Sequence, residues 1–116
     1  MAKVIIALGS NYHQSAHIQW ASECLSALLG EIRFSGRLWT PDVKGTGRWY
    51  MNRLAAGITT LPATELEQVL KEIETASKRS KERVTIDLDL MQYDDRRYHE
   101  RDWPRPYIQR LIPDLT

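Results

Sequence analysis

The sequence predicts an α+β domain with the element order β-α-β-β-α-β. This is the split β-α-β, ferredoxin-like arrangement, an antiparallel sheet with its helices on one face. Three observations predict it. Two stretches carry apolar residues at helical spacing: Ile18, Ala21, Leu25 and Leu28 in one, Leu66, Val69, Leu70 and Ile73 in the other. Strand-like runs precede and follow each of them. The last such run alternates residue by residue, with Ile86, Leu88 and Leu90 interleaved between Thr85, Asp87 and Asp89.

The elements follow in order. Residues 3–8 form a short buried strand that ends at Gly9-Ser10-Asn11, and residues 15–29 form the first amphipathic helix, with Gly30 as its stop. A second strand spans 31–39 and closes at Thr40-Pro41-Asp42. Residues 42–48, with Gly45 and Gly47 and no core pattern, are a loop. The third strand covers 49–60. Thr64, with Glu67 three residues on, reads as a capping box opening the second helix. A basic link at 78–83 leads into the acidic strand at 84–91. The last stretch, 94–116, is rich in Arg and punctuated by Pro, with a short helix near 107–111.

With 116 residues, 42% of them hydrophobic, the chain reads as a single domain over 1–116, long enough for a real core. The net charge of +1 provides no general field for nucleic acid or membrane, so neither is expected as a partner. Cys24 is the only cysteine, which excludes an internal disulfide and fits a reducing compartment. The opening apolar run is too short for a signal or spanning segment, and a cytoplasmic protein is expected.

The chemistry concentrates in the acidic strand. Residues two apart on a strand share a face, which sets Asp87 and Asp89 roughly 7 Å apart at the backbone. One reading is two solvated acids on an exposed strand. The other is a cation held between them; Mg²⁺ takes few protein ligands and fills its shell with water and phosphate oxygens. None of His13, His17 and His99 has ligand spacing to a Cys or another His.

Other phrases of the chain decide between these readings. Ala7-Leu8-Gly9-Ser10-Asn11, Thr40-Pro41, Tyr50-Met51-Asn52, Glu74 ahead of Arg79-Ser80-Lys81, and Thr85-Ile86-Asp87-Leu88-Asp89 occur in this order. Together they resemble the 6-hydroxymethyl-7,8-dihydropterin pyrophosphokinase family of folate biosynthesis. The resemblance implies transfer of the β,γ-pyrophosphoryl group of ATP to the hydroxymethyl group of the pterin, leaving AMP. It implies two Mg²⁺ ions on Asp87 and Asp89, and a pterin pocket formed by Thr40, Pro41, Val43, Tyr50 and Asn52. Glu74 would lie on the adenosine side, and Arg79, Lys81 and Arg83 would neutralise the transferring phosphates.

The chain also departs from the family pattern. The basic segment is about five residues shorter, with Val84 where an Arg is expected, and Lys81 replaces the second Arg. Pro104-Arg105-Pro106 stands at the family's Pro-His, where Arg105 would bind phosphate but cannot act as a neutral imidazole. The alternatives are a catalytically degenerate relative that keeps the nucleotide or pterin pocket, and an RNA-binding domain of the same topology. Against the latter stands an acidic final strand. Trp39 and Trp49, flanking the loop, read either as core or as stacking partners for a pterin. The alternating charges of 94–102 read as a solvated, salt-bridged surface.

Overall fold

The computed structural model describes residues 1–42 and 44–116. Its central strand is β1 (Ala2–Ser10). The remaining strands are β2 (Gly30–Phe34), β3 (Leu38–Pro41), β4 (Trp49–Thr59), β5 (Asp87–Tyr93) and β6 (Arg96–Arg97). They form one six-stranded antiparallel sheet in the order β2-β4-β1-β5-β6, with β3 also paired to β4. The helices are α1 (Gln14–Leu28), α2 (Ala63–Ala76) and α3 (Pro106–Leu111), the last continuing into a 3₁₀ turn at Ile112–Leu115. Among the described residues no helix is long and apolar enough to cross a membrane.

Alternation along the strands separates two cores. Val4, Ile6 and Leu8 of β1 with Leu88 and Leu90 of β5 meet Ile18, Ala21 and Leu25 of α1 and Leu66 and Leu70 of α2. The opposite face carries Ile5 and Ala7 of β1, Leu54 of β4 and Met91 of β5. The C-terminal segment covers it with Trp103, Ile108, Leu111 and Leu115. Helices on one face alone were expected; α3 instead lies on the other. The central strands are apolar on both sides, so a second apolar surface must be buried, at about 1.5–3 kcal/mol per large side chain.

A bulge in β5 then changes the allocation towards the end of the strand. The pairing with β1 runs Ile6 to Leu90 and then Ile5 to Gln92, so Met91 is the extra residue. Past the bulge the alternation changes phase. Met91 stays on the α3 side, while Tyr93 returns to the α1/α2 side, where its hydroxyl donates to the Leu61 carbonyl at 2.7 Å.

Three boundaries differ from expectation. The strand expected over 31–39 breaks into β2 and β3 around Ser35. Its hydroxyl accepts the Leu54 N–H at 2.8 Å, its own N–H donates to the Leu54 carbonyl, and Gly36 N–H turns away to the Asp114 carboxylate. The capping box is not formed. Pro62 precedes the helix, its carbonyl accepts the Leu66 N–H at 3.0 Å, and Thr64 already lies inside the first turn without a cap hydrogen bond. Regular pairing of the acidic strand starts at Asp87 rather than at 84. Val84 is tied instead to Asn11, its N–H donating to Asn11 Oδ1 at 2.8 Å and its carbonyl accepting Asn11 N–H at 2.9 Å.

Trp103 anchors the C-terminal cover. It is 6% exposed, and its indole N–H is shared between the Tyr98 carbonyl at 3.0 Å and the Met91 carbonyl at 3.3 Å. The Arg97 guanidinium lies 4.1 Å above its ring. Trp103→Ala is expected to lower unfolding free energy by about 3–5 kcal/mol, the usual loss for a buried large aromatic, as read from urea denaturation. A loss under about 1 kcal/mol would show that the segment is not anchored there.

Candidate active site

The α3 side of the sheet is only partly covered. Beyond the C-terminal cover a cleft of about 1000 Å³ opens over the end of β1. Register places its floor. Gly9 pairs with Asn52 on β4 and with Asp87 on β5, and Ala7 pairs with Leu54 and Asp89. The small side of Ala7 and the bare Gly9 leave an open floor between a carboxamide and two carboxylates. Two strand spacings put Asn52 and Asp87 about 10 Å apart. A Cβ at Gly9 would meet Asn52 Oδ1 and the Tyr50 ring at 3.7 Å, so side chains longer than Ala would fill the floor.

At one end of the cleft the innermost groups are polar but uncharged. Asn52, 7% exposed, donates from Nδ2 to Thr40 Oγ1 at 2.7 Å and to the Leu38 carbonyl at 3.3 Å. Tyr50 and Pro41 form the adjoining wall, and Lys44, Thr46 and Arg48 stand on the rim. Val43, assigned to this pocket by resemblance, lies outside the described residues. Trp39 and Trp49 are 51% and 53% exposed and neither lines the cleft.

The other end is charged. Arg79 lies 3.3 Å from both Asp87 and Glu74, and the Leu88 N–H donates to Glu74 at 2.8 Å. Glu74 faces a smaller recess of about 260 Å³ that shares Arg79, Asp87 and Asp89 with the main cleft. Lys81 lines the main cleft as well. Arg83 does not: its guanidinium stacks on the Tyr12 ring at 4.8 Å. The reading of Arg83 as a phosphate-neutralising residue finds it outside the cleft lining.

The C-terminal segment supplies a wall, of which Asp102 belongs to the stretch 94–102 read as solvated surface, while Arg105 was expected to face phosphate. Asp102, Arg105 and Tyr107 line the cleft, with Arg105 Nε 2.8 Å from Asp102. His99 lies 3.8 Å from Asp89 and borders the smaller recess. Asp102, Tyr107, His99, Lys44 and Arg48 were not singled out from sequence. Nothing local marks them, because it is the docking of 98–107 across the sheet that brings the first three to the site. Arg96 and Arg97 stack on Tyr98 and Trp103.

The carboxylates are incompletely compensated. Burial, and then the charge of Asp87, pushes Asp89 up to about 6. Burial also pushes Glu74 up to about 7, against the opposing hydrogen bond from Leu88. Among the described residues no three ligating side chains gather into a ready-made metal cage. A pair of carboxylates short of positive charge and open to a cleft suits a Mg²⁺ ion that draws most of its oxygens from water and a phosphate ligand.

Acids on the floor and bases on the rim, over the free face of an antiparallel sheet, make a cleft that suits a phosphate-bearing ligand. A comparison with curated proteins finds no match to the sequence. The chain belongs to the 7,8-dihydro-6-hydroxymethylpterin-pyrophosphokinase family, whose model matches residues 5–114. Membership makes it a relative of the transferases of folate biosynthesis.

The raised carboxyls have a consequence for stability. Both bind a proton more tightly in the folded chain than at their ordinary values of 3.8 and 4.5. The stability this contributes is full below those values and is lost as pH rises through about 6 for Asp89 and about 7 for Glu74. Metal-free protein is therefore expected to melt at falling temperature as pH rises from about 5 to about 8. Glu74→Gln should remove the upper part of that decline. Thermal melts followed by circular dichroism across this range check it, and parallel profiles for the two proteins would contradict it.

Proposed function

We propose that this chain is a compact pyrophosphokinase. It moves the β,γ-pyrophosphoryl group of ATP to the hydroxymethyl oxygen of 6-hydroxymethyl-7,8-dihydropterin and releases AMP. The observation that carries the reading is the single row Asn52, Gly9, Asp87 across the sheet. It sets a carboxamide and an acidic pair on one open floor, which supports a reading with the heterocycle at the first and the phosphates at the second. Family membership supplies the substrate class.

In this reading Asn52 accepts from the pterin edge, Tyr50 and Pro41 wall the ring, and Thr40 completes the pocket. Arg79, Lys81 and Arg105 face the phosphates, while Glu74 borders the adenosine side. The substrate hydroxyl oxygen bonds to the β-phosphorus, the bond from that phosphorus to the α,β-bridging oxygen breaks so that this oxygen leaves on AMP with the bonding pair, and the hydroxyl proton passes to solvent. Such a transfer needs mainly positioning and charge stabilisation. Asp87 and Asp89 would hold Mg²⁺, two ions by the family pattern, which when bound offset phosphate charge. The cationic side chains add to that stabilisation, and the walls from Pro41, Tyr50, Asp102 and Tyr107 would limit water that competes with the hydroxyl. A cytoplasmic site of action fits the single cysteine.

One observation favours a second reading, a binding protein without turnover. The basic segment is short, and Arg83 is stacked on Tyr12 rather than facing the cleft. Calorimetry with a non-hydrolysable ATP analogue, run beside an AMP-release assay, separates the two. Tight Mg²⁺-dependent binding with no AMP would establish the second reading.

For the first, Asp87→Asn and Asp89→Asn are each expected to cut AMP release about a hundredfold or more. That is the scale seen when one transition-state charge stabiliser is lost. Both should also abolish Mg²⁺-dependent nucleotide binding while leaving the circular dichroism spectrum unchanged. Near-normal turnover in either variant would sink the metal assignment.

A further inference from the structure

A second group of cations lies on the helix face of the sheet, away from the cleft. Consecutive residues of a strand point to opposite faces, so Asn52 faces the cleft and Arg53 faces α1. The Arg53 guanidinium is half-buried, 4.5 Å above the Phe34 ring. Its Nε donates to the Ser35 carbonyl at 2.9 Å and its Nη1 to Ser22 Oγ at 3.1 Å. Arg37, exposed just ahead of β3, leans onto the same helix. It donates from Nη1 to Ser15 Oγ at 3.0 Å and from Nη2 to Gln19 Oε1 at 2.9 Å. Ser15, Gln19 and Ser22 form one stripe of α1, at i, i+4 and i+7. One guanidinium sits between the first two and the other at the third. The helical rise of about 1.5 Å per residue therefore sets the two roughly 7 Å apart along the axis.

These two charges are not compensated. Among the described residues no carboxylate comes within 4.0 Å of either. Glu23 accepts from Gln19 Nε2 at 3.2 Å and Asp114 from the Gly36 N–H at 2.9 Å, each on a neutral donor. Burial, and then the charge of Arg37, holds Arg53 below its usual value, so the charge it feels is repulsive. A guanidinium has five N–H donors, of which each of these uses two on the protein, leaving three for a ligand. Trp39 stands nearby, two residues beyond Arg37. It pairs with Met51, which belongs to the α1/α2 core, so its half-exposed ring is on this same face.

We propose that Arg37 and Arg53 form a second oxyanion site, on the helix face of the sheet, that takes inorganic phosphate or a phosphate monoester. A doubly charged tetrahedral anion between them would accept from both forks and turn a like-charge repulsion into attraction. A lone carboxylate brings one charge and two oxygens in one plane, which serves one fork rather than two. The Trp39 ring would give the organic part of an ester a surface to stack on. The site is separate from the pyrophosphokinase reading, and neither depends on the other.

The test uses ¹⁵N-labelled full-length protein free of Mg²⁺, with the arginine Nε–H signals followed by NMR. Inorganic phosphate and phenyl phosphate are each added against chloride at constant ionic strength. The Arg37 and Arg53 signals should shift together and saturate with one millimolar-range affinity. Tighter binding of phenyl phosphate would identify an ester ligand seated on Trp39, and equal binding a free phosphate. Arg37→Gln should weaken the phosphate response at Arg53 by about tenfold or more, as expected when one of two charged partners is lost. It should leave affinity for a Mg²⁺-ATP analogue unchanged. In chloride it should not lower the melting temperature, because a repulsion has been removed.

Shifts that never saturate would show only general screening and overturn the proposal. A response confined to Arg79 would place the anion in the cleft and do the same. An Arg37→Gln protein that melts lower yet keeps the phosphate response at Arg53 would give Arg37 a merely structural role, and the site would again be lost.

Discussion

Everything at the site depends on the register of β1 between its two neighbours. Gly9 faces Asn52 on one side and Asp87 on the other, and this one alignment joins the two ends of the cleft. A slip of one residue in β5 would turn Asp87 and Asp89 towards α1 and α2 and bring Leu88 and Leu90 to the cleft. Burying unpaired carboxylates in that apolar cluster would cost several kcal/mol each. The same alternation that builds the core therefore enforces the position of the acids, and fold and site are specified by one pattern.

The second constraint is the covering of the other face. A sheet with apolar residues on both sides must bury both, yet a ligand site needs part of one side free. The C-terminal segment meets the two demands at once. Trp103, Ile108, Leu111 and Leu115 close the lower part over Leu54 and Met91, while Asp102, Arg105 and Tyr107 become the wall of the part that stays open. The Met91 bulge shifts the alternation of β5 so that Met91 serves the second core and Tyr93 returns to the first. Stability of the cover and shape of the cleft are thus linked through the same few residues.

Charge at the acidic end is balanced without being neutralised. Arg79 bridges Glu74 and Asp87, and His99 stands near Asp89, while burial still disfavours the ionised forms of Glu74 and Asp89. Such a site holds free energy in reserve for whatever brings positive charge, because a cation relieves a repulsion already present in the fold. The opposite end is arranged on the other principle, with Asn52 held by neutral hydrogen bonds and no ion pair. The chemistry is polarised along the cleft, from hydrogen-bond reading at β3 and β4 to charge handling at β5.

Local pattern carried much of this. Ile18, Ala21 and Leu25 at helical spacing, and Ile86, Leu88 and Leu90 alternating with Asp87 and Asp89, announce one helix, one strand and the shared face of the two acids. These features depend only on residues a few positions apart, which the 3.6 and 2.0 periodicities relate directly. Long-range features depend on contacts that no short window contains. The break at Ser35 comes from its bonds to Leu54 and from Asp114 capturing the Gly36 N–H; the direction of Arg83 comes from Tyr12. Thr64 looked like a cap because its spacing to Glu67 was right, but Pro62 had already turned the chain into the helix. The placement of α3 on the second face was hidden because an apolar residue on a central strand gives no sign of which partner will cover it. The shared face of the two acids and the two long helices belong to the residues themselves. Which side of the sheet stays open, and which charged groups of the last twenty residues reach it, is decided only when the chain packs and both faces compete for the same C-terminal cover.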